Sequence, residues 1–163
     1  MTQLMAQARG IPTPSPSVHS QPYWDACREE RLLYQRCASC GARALRPSTV
    51  CASCRGTSMA WEQSAGFGSL YSWTVVWRPP DPSFIVPYAP AIVRLDEEFW
   101  LMSAMIGCQA DDLYDGMRVG VTFHPVSDTV TLPYFSPLDP GLNPAAGIVD
   151  NMQSTREDEG RHE

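Results

Sequence analysis

The chain has 163 residues, a length that holds one domain with a small appendage, and its 15 prolines and 11 glycines favour turns and short strands over long helices. Its net charge is −6, and every basic residue other than histidine is an arginine. The charge is uneven: residues 23–60 carry six arginines against three acids, and residues 61–138 carry three against nine. An acidic body argues against general binding to a phosphate backbone, which needs a broad cationic surface.

In chain order, residues 1–21 read as a disordered tail, because Pro12, Pro14 and Pro16 alternate with small polar residues and leave nothing to bury. A short helix is expected from Tyr23 to Leu33, started by Pro22, with Asp25 in its first turn and Tyr23, Trp24 and Cys27 on one side. A metal-binding ribbon follows to about Ala60. Strands are then expected over 69–77, with Tyr71, Trp73, Val75 and Trp77 on one face, and over 89–95, with Ala91, Val93 and Leu95 on the face opposite Ile92 and Arg94. Further strands are expected over 118–124, with Val119, Val121 and Phe123 inward, and over 130–135, pushed to an edge by Pro133. The segment Phe99–Ile106 is apolar on both faces. A small barrel wets one face of each strand, so something must cover this one: the helix, the ribbon or another chain. A helical turn near Asp111–Tyr114 completes the pattern of a small OB-type barrel over 61–138. Residues 139–163 read as a flexible tail, unless Ile148, Val149 and Met152 dock.

The strongest signal is Cys37-Ala-Ser-Cys40, ten residues, then Cys51-Ala-Ser-Cys54. Each C-x-x-C lets two thiolates reach one ion, and Gly41 and Gly56 supply the tight backbone behind each pair. Four thiolates close a tetrahedral shell, so the site is structural and leaves no position for water or substrate. Zinc is the expected occupant, and iron shares the same geometry. Four thiolates on Zn²⁺ carry a charge of −2, which offsets most of the ribbon's positive excess.

Catalytic equipment is sparse. Cys27 and Cys108 read as buried inert thiols, and a nucleophile would need a base beside it. His124 reads as an exposed structural residue, His19 and His162 fall in the tails, and Asp96, Glu97 and Glu98 read as solvated acids of a hairpin turn. The chain carries no phosphate loop, nucleophile elbow or dinucleotide fingerprint. These features point to binding or assembly. The opening residues hold no signal-peptide pattern and no run reaches the length of a membrane span, so a soluble, cytoplasmic protein is expected.

The segments YWDACREERLLYQRCASCG, CASCRG, GFGSLYSWTVVWR, PYAPAIVRLDEEF, IGCQADDLYDGMRVGVTF and LPYFSP lie in this order between Tyr23 and Pro137. Together they resemble the zinc-ribbon/OB-fold family known as DUF35, whose members accompany acyl-CoA enzymes of the thiolase superfamily. The resemblance implies a mainly β protein: a short N-terminal helix and rubredoxin-like zinc ribbon over 22–60, then an OB barrel over 61–138. It implies a non-catalytic subunit that binds one structural zinc and assembles with a thiolase-like catalytic subunit as a heterotetramer or larger. The partner would carry out retro-aldol or acyl-transfer chemistry on a CoA thioester, with steroid side-chain degradation the suggested setting. Tyr23, Trp24, Arg28, Trp77 and Arg78 are the candidate contacts to partner or acyl-CoA. Some relatives carry a fused hydratase-like domain, for which this chain has no room. Two other readings stay open: single-stranded nucleic-acid binding, which ribbons and OB folds both serve, and electron transfer through iron in the ribbon.

Overall fold

The structure, a computed structural model, describes residues 2–138. The expected C-terminal tail, 139–163, lies outside the described residues. Helix α1 spans Gln21–Arg28, with Pro22 in its first turn. It is shorter than expected because Glu30 turns left-handed (φ 58°), which redirects the chain so that Leu32 and Leu33 are buried. Three strands, β1 (Leu33–Cys37), β2 (Arg43–Ala44) and β3 (Met59–Gln63), form an antiparallel sheet in the order β2-β1-β3. Residues 61–63 therefore pair with the ribbon rather than with the barrel.

The barrel comprises β4 (Phe67–Trp73), β5 (Ala89–Leu95), β6 (Trp100–Met105), β7 (Arg118–Pro125) and β8 (Thr131–Pro137). It closes in the order β4-β5-β6-β8-β7, with β4 hydrogen-bonded back to β7. All its pairings are antiparallel except β6 with β8, which meet in parallel at the single register pair Met105↔Phe135. A one-turn 3-10 helix at Ala110–Asp112 lies before β7. The core holds Leu70, Ala91, Val93, Leu95, Leu101, Met105, Val119 and Phe135, all fully or nearly fully buried. The alternation expected for β5 holds, with Ala91, Val93 and Leu95 on the buried face, and the inward face of β7 is the one expected.

Pro133 does not push β8 to an edge, because the closed barrel places that strand between β6 and β7. Three further expectations need correction. The first concerns the N-terminal tail, part of which is bound to the barrel. Leu4 is fully buried, and its N–H and C=O bond Cys108 O and Gly107 N, each at 2.9 Å. The Gln7 amide clamps Ile85, donating to its carbonyl at 3.0 Å and accepting from its N–H at 2.8 Å. Ile11 is buried against Val126 and Val130. Composition obscured this because the docking rests on a few scattered residues, with Leu4 and Ile11 buried, Gln7 clamping Ile85, Thr2 and Gly10 bonded through their backbones and Arg9 paired with Asp128.

The second concerns β4. Its register against β5 shifts between Leu70 and Ser72, and one extra residue in a strand reverses the alternation beyond it. Leu70 points inward before the bulge, whereas Trp73 and Val75 pack on the core after it. Tyr71 and Trp77 are exposed, so the expected aromatic row is divided.

The third concerns the acids of the β5–β6 turn, which are tied down rather than free. Asp96 accepts two hydrogen bonds from Arg118, Glu97 binds Ser64 and the Ala65 N–H, and Glu98 pairs with Arg43 of β2 at 3.0 Å. Together with the stacked rings of Tyr34 and Phe99, 4.9 Å between centroids, these contacts fasten the ribbon to the barrel.

Candidate metal centre

Two knuckles present the four cysteines. β1 ends at Cys37, whose carbonyl accepts from Gly41 N at 2.8 Å and whose N–H donates to Ala42 O at 2.9 Å. The second knuckle repeats this: Arg55 N donates to Cys51 O at 2.9 Å, and Cys51 N to Gly56 O at 2.8 Å. After the second cysteine of each pair the chain turns left-handed, at Gly41 (φ 74°) and at Arg55 (φ 59°). The sequence expectation placed this freedom at Gly56, but Gly56 answers a different need. A Cβ there would lie 3.2 Å from Ser39 Oγ and 3.3 Å from Cys54 Sγ, so glycine makes room for the second knuckle against the first. Its N–H also points at Cys54 Sγ, at 3.4 Å.

The four Sγ atoms lie within 4.8 Å of one another. Cys37 and Cys54 sulfurs are 3.6 Å apart, as are those of Cys40 and Cys51. A tetrahedron with metal–sulfur bonds of about 2.3 Å has sulfurs about 3.8 Å apart, so the cluster fits a zinc ion. The backbone is already arranged for thiolates. Donation from the Cys40 N–H is the main influence holding the Cys37 thiol down at about 6, and the Cys54 N–H lowers Cys51 in the same way. At Cys40 the Ala42 N–H lowers the value, but the sulfurs of Cys54, Cys51 and Cys37 and partial burial outweigh it and push the thiol up to about 12. Crowding four sulfurs together without a cation is thus opposed, and a divalent ion relieves that opposition.

Among the described residues, neither cysteine outside the cluster is activated. Burial pushes both Cys27 and Cys108 up to about 11, the reverse of an activated nucleophile. His124 is half-buried and packs edge-on against the Tyr134 ring, 5.6 Å between centroids.

The candidate contact residues fall in two places. Tyr23 and Trp24 line an apolar cavity of about 290 Å³ between the N-terminal segment, α1, the 84–90 loop and the β6/β8 gap. Arg28 is exposed and paired with Asp25 at 2.7 Å. Trp77 and Arg78 are exposed in the loop after β4, next to Val76, whose N–H binds Tyr88 O at 2.9 Å. Sequence reasoning missed Met5 and Gln7, which also line the cavity, because they lie in the segment read as a tail.

A four-thiolate ribbon on a five-stranded barrel defines a zinc-ribbon/OB-fold protein. The ChsH2 rubredoxin-like zinc ribbon domain matches residues 24–60 and the ChsH2 C-terminal OB-fold domain matches residues 61–124. The chain belongs to the DUF35 family, in its ChsH2-like branch. A chain of the Ltp2-ChsH2(DUF35) aldolase superposes with a TM-score of 0.73 at 31% identity, over 78% of this chain and 100% of that one. A DUF35 domain-containing scaffold protein of Methanothermobacter thermautotrophicus is 30% identical over 99 residues, covering 60% of this chain and 74% of the relative. A probable enoyl-CoA hydratase alpha subunit of Thermomonospora curvata is 33% identical over 129 residues, 78% of this chain. This chain spans 40% of that relative's length. A DUF35 protein of Sulfolobus solfataricus, at 11% identity and a TM-score of 0.53, shares the fold. Among the described residues, no helix is long and apolar enough to cross a membrane.

Proposed function

We propose that this chain is the non-catalytic zinc-binding subunit of a thiolase-like acyl-CoA lyase of the retro-aldolase type. It stabilises the catalytic partner and helps to form the acyl-CoA site, and the setting suggested by the family resemblance is steroid side-chain degradation. The observation that carries this reading is the closed four-sulfur shell, joined to the likeness, over 78% of this chain, to a chain of the Ltp2-ChsH2 aldolase. A metal with four thiolates offers no open position, and both remaining cysteines are held protonated by burial. Chemistry therefore belongs to another subunit. The ribbon contributes a rigid arm, fastened to the barrel through Arg43–Glu98 and Tyr34–Phe99, that holds α1 and the barrel in one arrangement.

The test is co-expression with the thiolase-like chain encoded nearest to it. The two are expected to co-elute with one zinc per copy of this chain, and C–C cleavage of a β-hydroxyacyl-CoA is expected only from the pair. A chain that stays monomeric beside that partner, or turns over a CoA thioester alone, refutes the reading.

A further inference from the structure

The outer face of β4, β5 and β6 is apolar and uncovered by any described segment. Met102 is 73% exposed, Tyr71 57%, Trp100 49% and Ile92 37%. The register makes these neighbours: Ile92 stands opposite Met102, and Arg94 opposite Trp100. The Tyr71 and Trp100 rings meet edge-on at 4.4 Å, joining β4 to β6. Beside Met102 opens the cavity of about 290 Å³, walled by Met5, Trp24, Tyr88 and Leu132. It exists because β8 leaves β6 beyond Met105↔Phe135, with Ser103 Oγ bonding Pro133 O across the gap.

Tryptophan, tyrosine, methionine and arginine together, with no acid among them, make the composition of an interface centre rather than of a wetted strand. Arg94 has no ion pair among the described residues, although the barrel half of the chain is rich in acids. A second copy facing this patch about a two-fold axis would add a like charge and no carboxylate. The face thus suits a different protein.

We infer that the partner subunit docks on the outer face of β4–β5–β6, presenting an apolar surface, a carboxylate to Arg94 and one apolar side chain to the cavity beside Met102. This rests on the accessory-subunit reading above. It adds where the contact lies and what chemistry the partner surface must have. Aromatic anchors at the centre of such a patch carry most of the affinity, and the ring of lesser contacts excludes water around them.

The probe is the thiolase-like chain co-purified with this one. Met102→Glu is expected to weaken association by about 30-fold or more, the loss typical of a central anchor. Arg94→Glu is expected to weaken it and to reverse its response to salt. Val18→Glu, at an exposed site elsewhere, is expected to change nothing. Each variant is checked for one bound zinc and an unchanged melting transition, which fixes that the fold is intact. Independently, iodide quenching of Trp100, read as the difference between wild type and Trp100→Phe, is expected to fall when the partner binds. Binding by Met102→Glu and Arg94→Glu at wild-type affinity overturns the docking face and leaves the accessory role standing. Absence of any complex with wild type overturns both. A chain ending at Leu138 in which Trp100 becomes more quenchable without partner overturns the proposal in favour of residues 139–163 as the cover.

Discussion

Stripping the metal, or replacing Cys51 with serine, is expected to melt residues 38–58 and leave the barrel folded. Within that segment Cys51 is the only buried side chain. Ordering even six of its residues costs on the order of 6–12 kcal/mol of backbone entropy. Burying one small side chain returns at most about 2 kcal/mol. Four-ligand zinc sites supply about 10–16 kcal/mol, the one local contribution of matching size. The melting should stop at β1, because Leu33 and Tyr34 are buried and the Tyr34 ring stacks on Phe99 of the barrel hairpin. Hydrogen exchange read by mass spectrometry, with and without a chelator, checks this. The amides of Ala38, Gly41, Cys51 and Arg55, bonded at 2.8–2.9 Å within the ribbon, should lose protection. Those paired within β5 and β7 should keep theirs. Retained protection over 38–58 after zinc loss would refute the reasoning, and so would joint loss in the ribbon and the barrel strands.

Four further outcomes are expected. Phe135→Ala empties the fully buried position at which β8 meets both β6 and β7, and should cost about 3–5 kcal/mol in urea unfolding. Gly68→Ala would place a Cβ 2.5 Å from Arg94 O and 2.9 Å from Val93 Cγ1, and should cost about 1–3 kcal/mol or shift the β4–β5 register, seen as a lower melting temperature. Hydrogen bonds from Arg118 hold the Asp96 carboxyl below its usual range, so its contribution is present at neutral pH and is lost as pH falls through that depressed value. Both groups are half-exposed, so Asp96→Asn should cost under about 1 kcal/mol at pH 7 and narrow the stability gap between pH 7 and pH 3. Cys27 and Cys108, raised by burial, should resist iodoacetamide at pH 8 in the zinc-loaded protein, while Cys40, Cys51 and Cys54, released together as residues 38–58 melt, should label once zinc is removed.

What was legible in the sequence was whatever rests on short-range spacing. The C-x-x-C pairs needed only their two-residue gaps to announce a metal site. The alternation at 89–95 and 118–124 needed only the strand period to divide each strand into its two faces. The Pro22 start of α1 was visible for the same reason, but its end was not. That end depends on Glu30 adopting a left-handed turn so that Leu32 and Leu33 can reach the core. The aromatic row of 71–77 misled because a bulge is a property of two strands in register, and one strand's pattern cannot reveal it.

The amino-acid sequence by itself determined the four-cysteine cluster, the ribbon-then-barrel order and the family, because each rests on local spacing or on the order of short segments along the chain. Only the tertiary structure decided that Leu4, Gln7 and Ile11 belong to the barrel. It also decided that Arg43, Glu98, Tyr34 and Phe99 lock the two modules together. The apolar segment 99–106 shows the division most clearly. Its composition announced that a cover was needed, but only the register of β4, β5 and β6 placed Tyr71, Ile92, Trp100 and Met102 side by side on an exposed face. A contact between residues tens of positions apart leaves no periodic trace in either segment, so folding alone brings it into view.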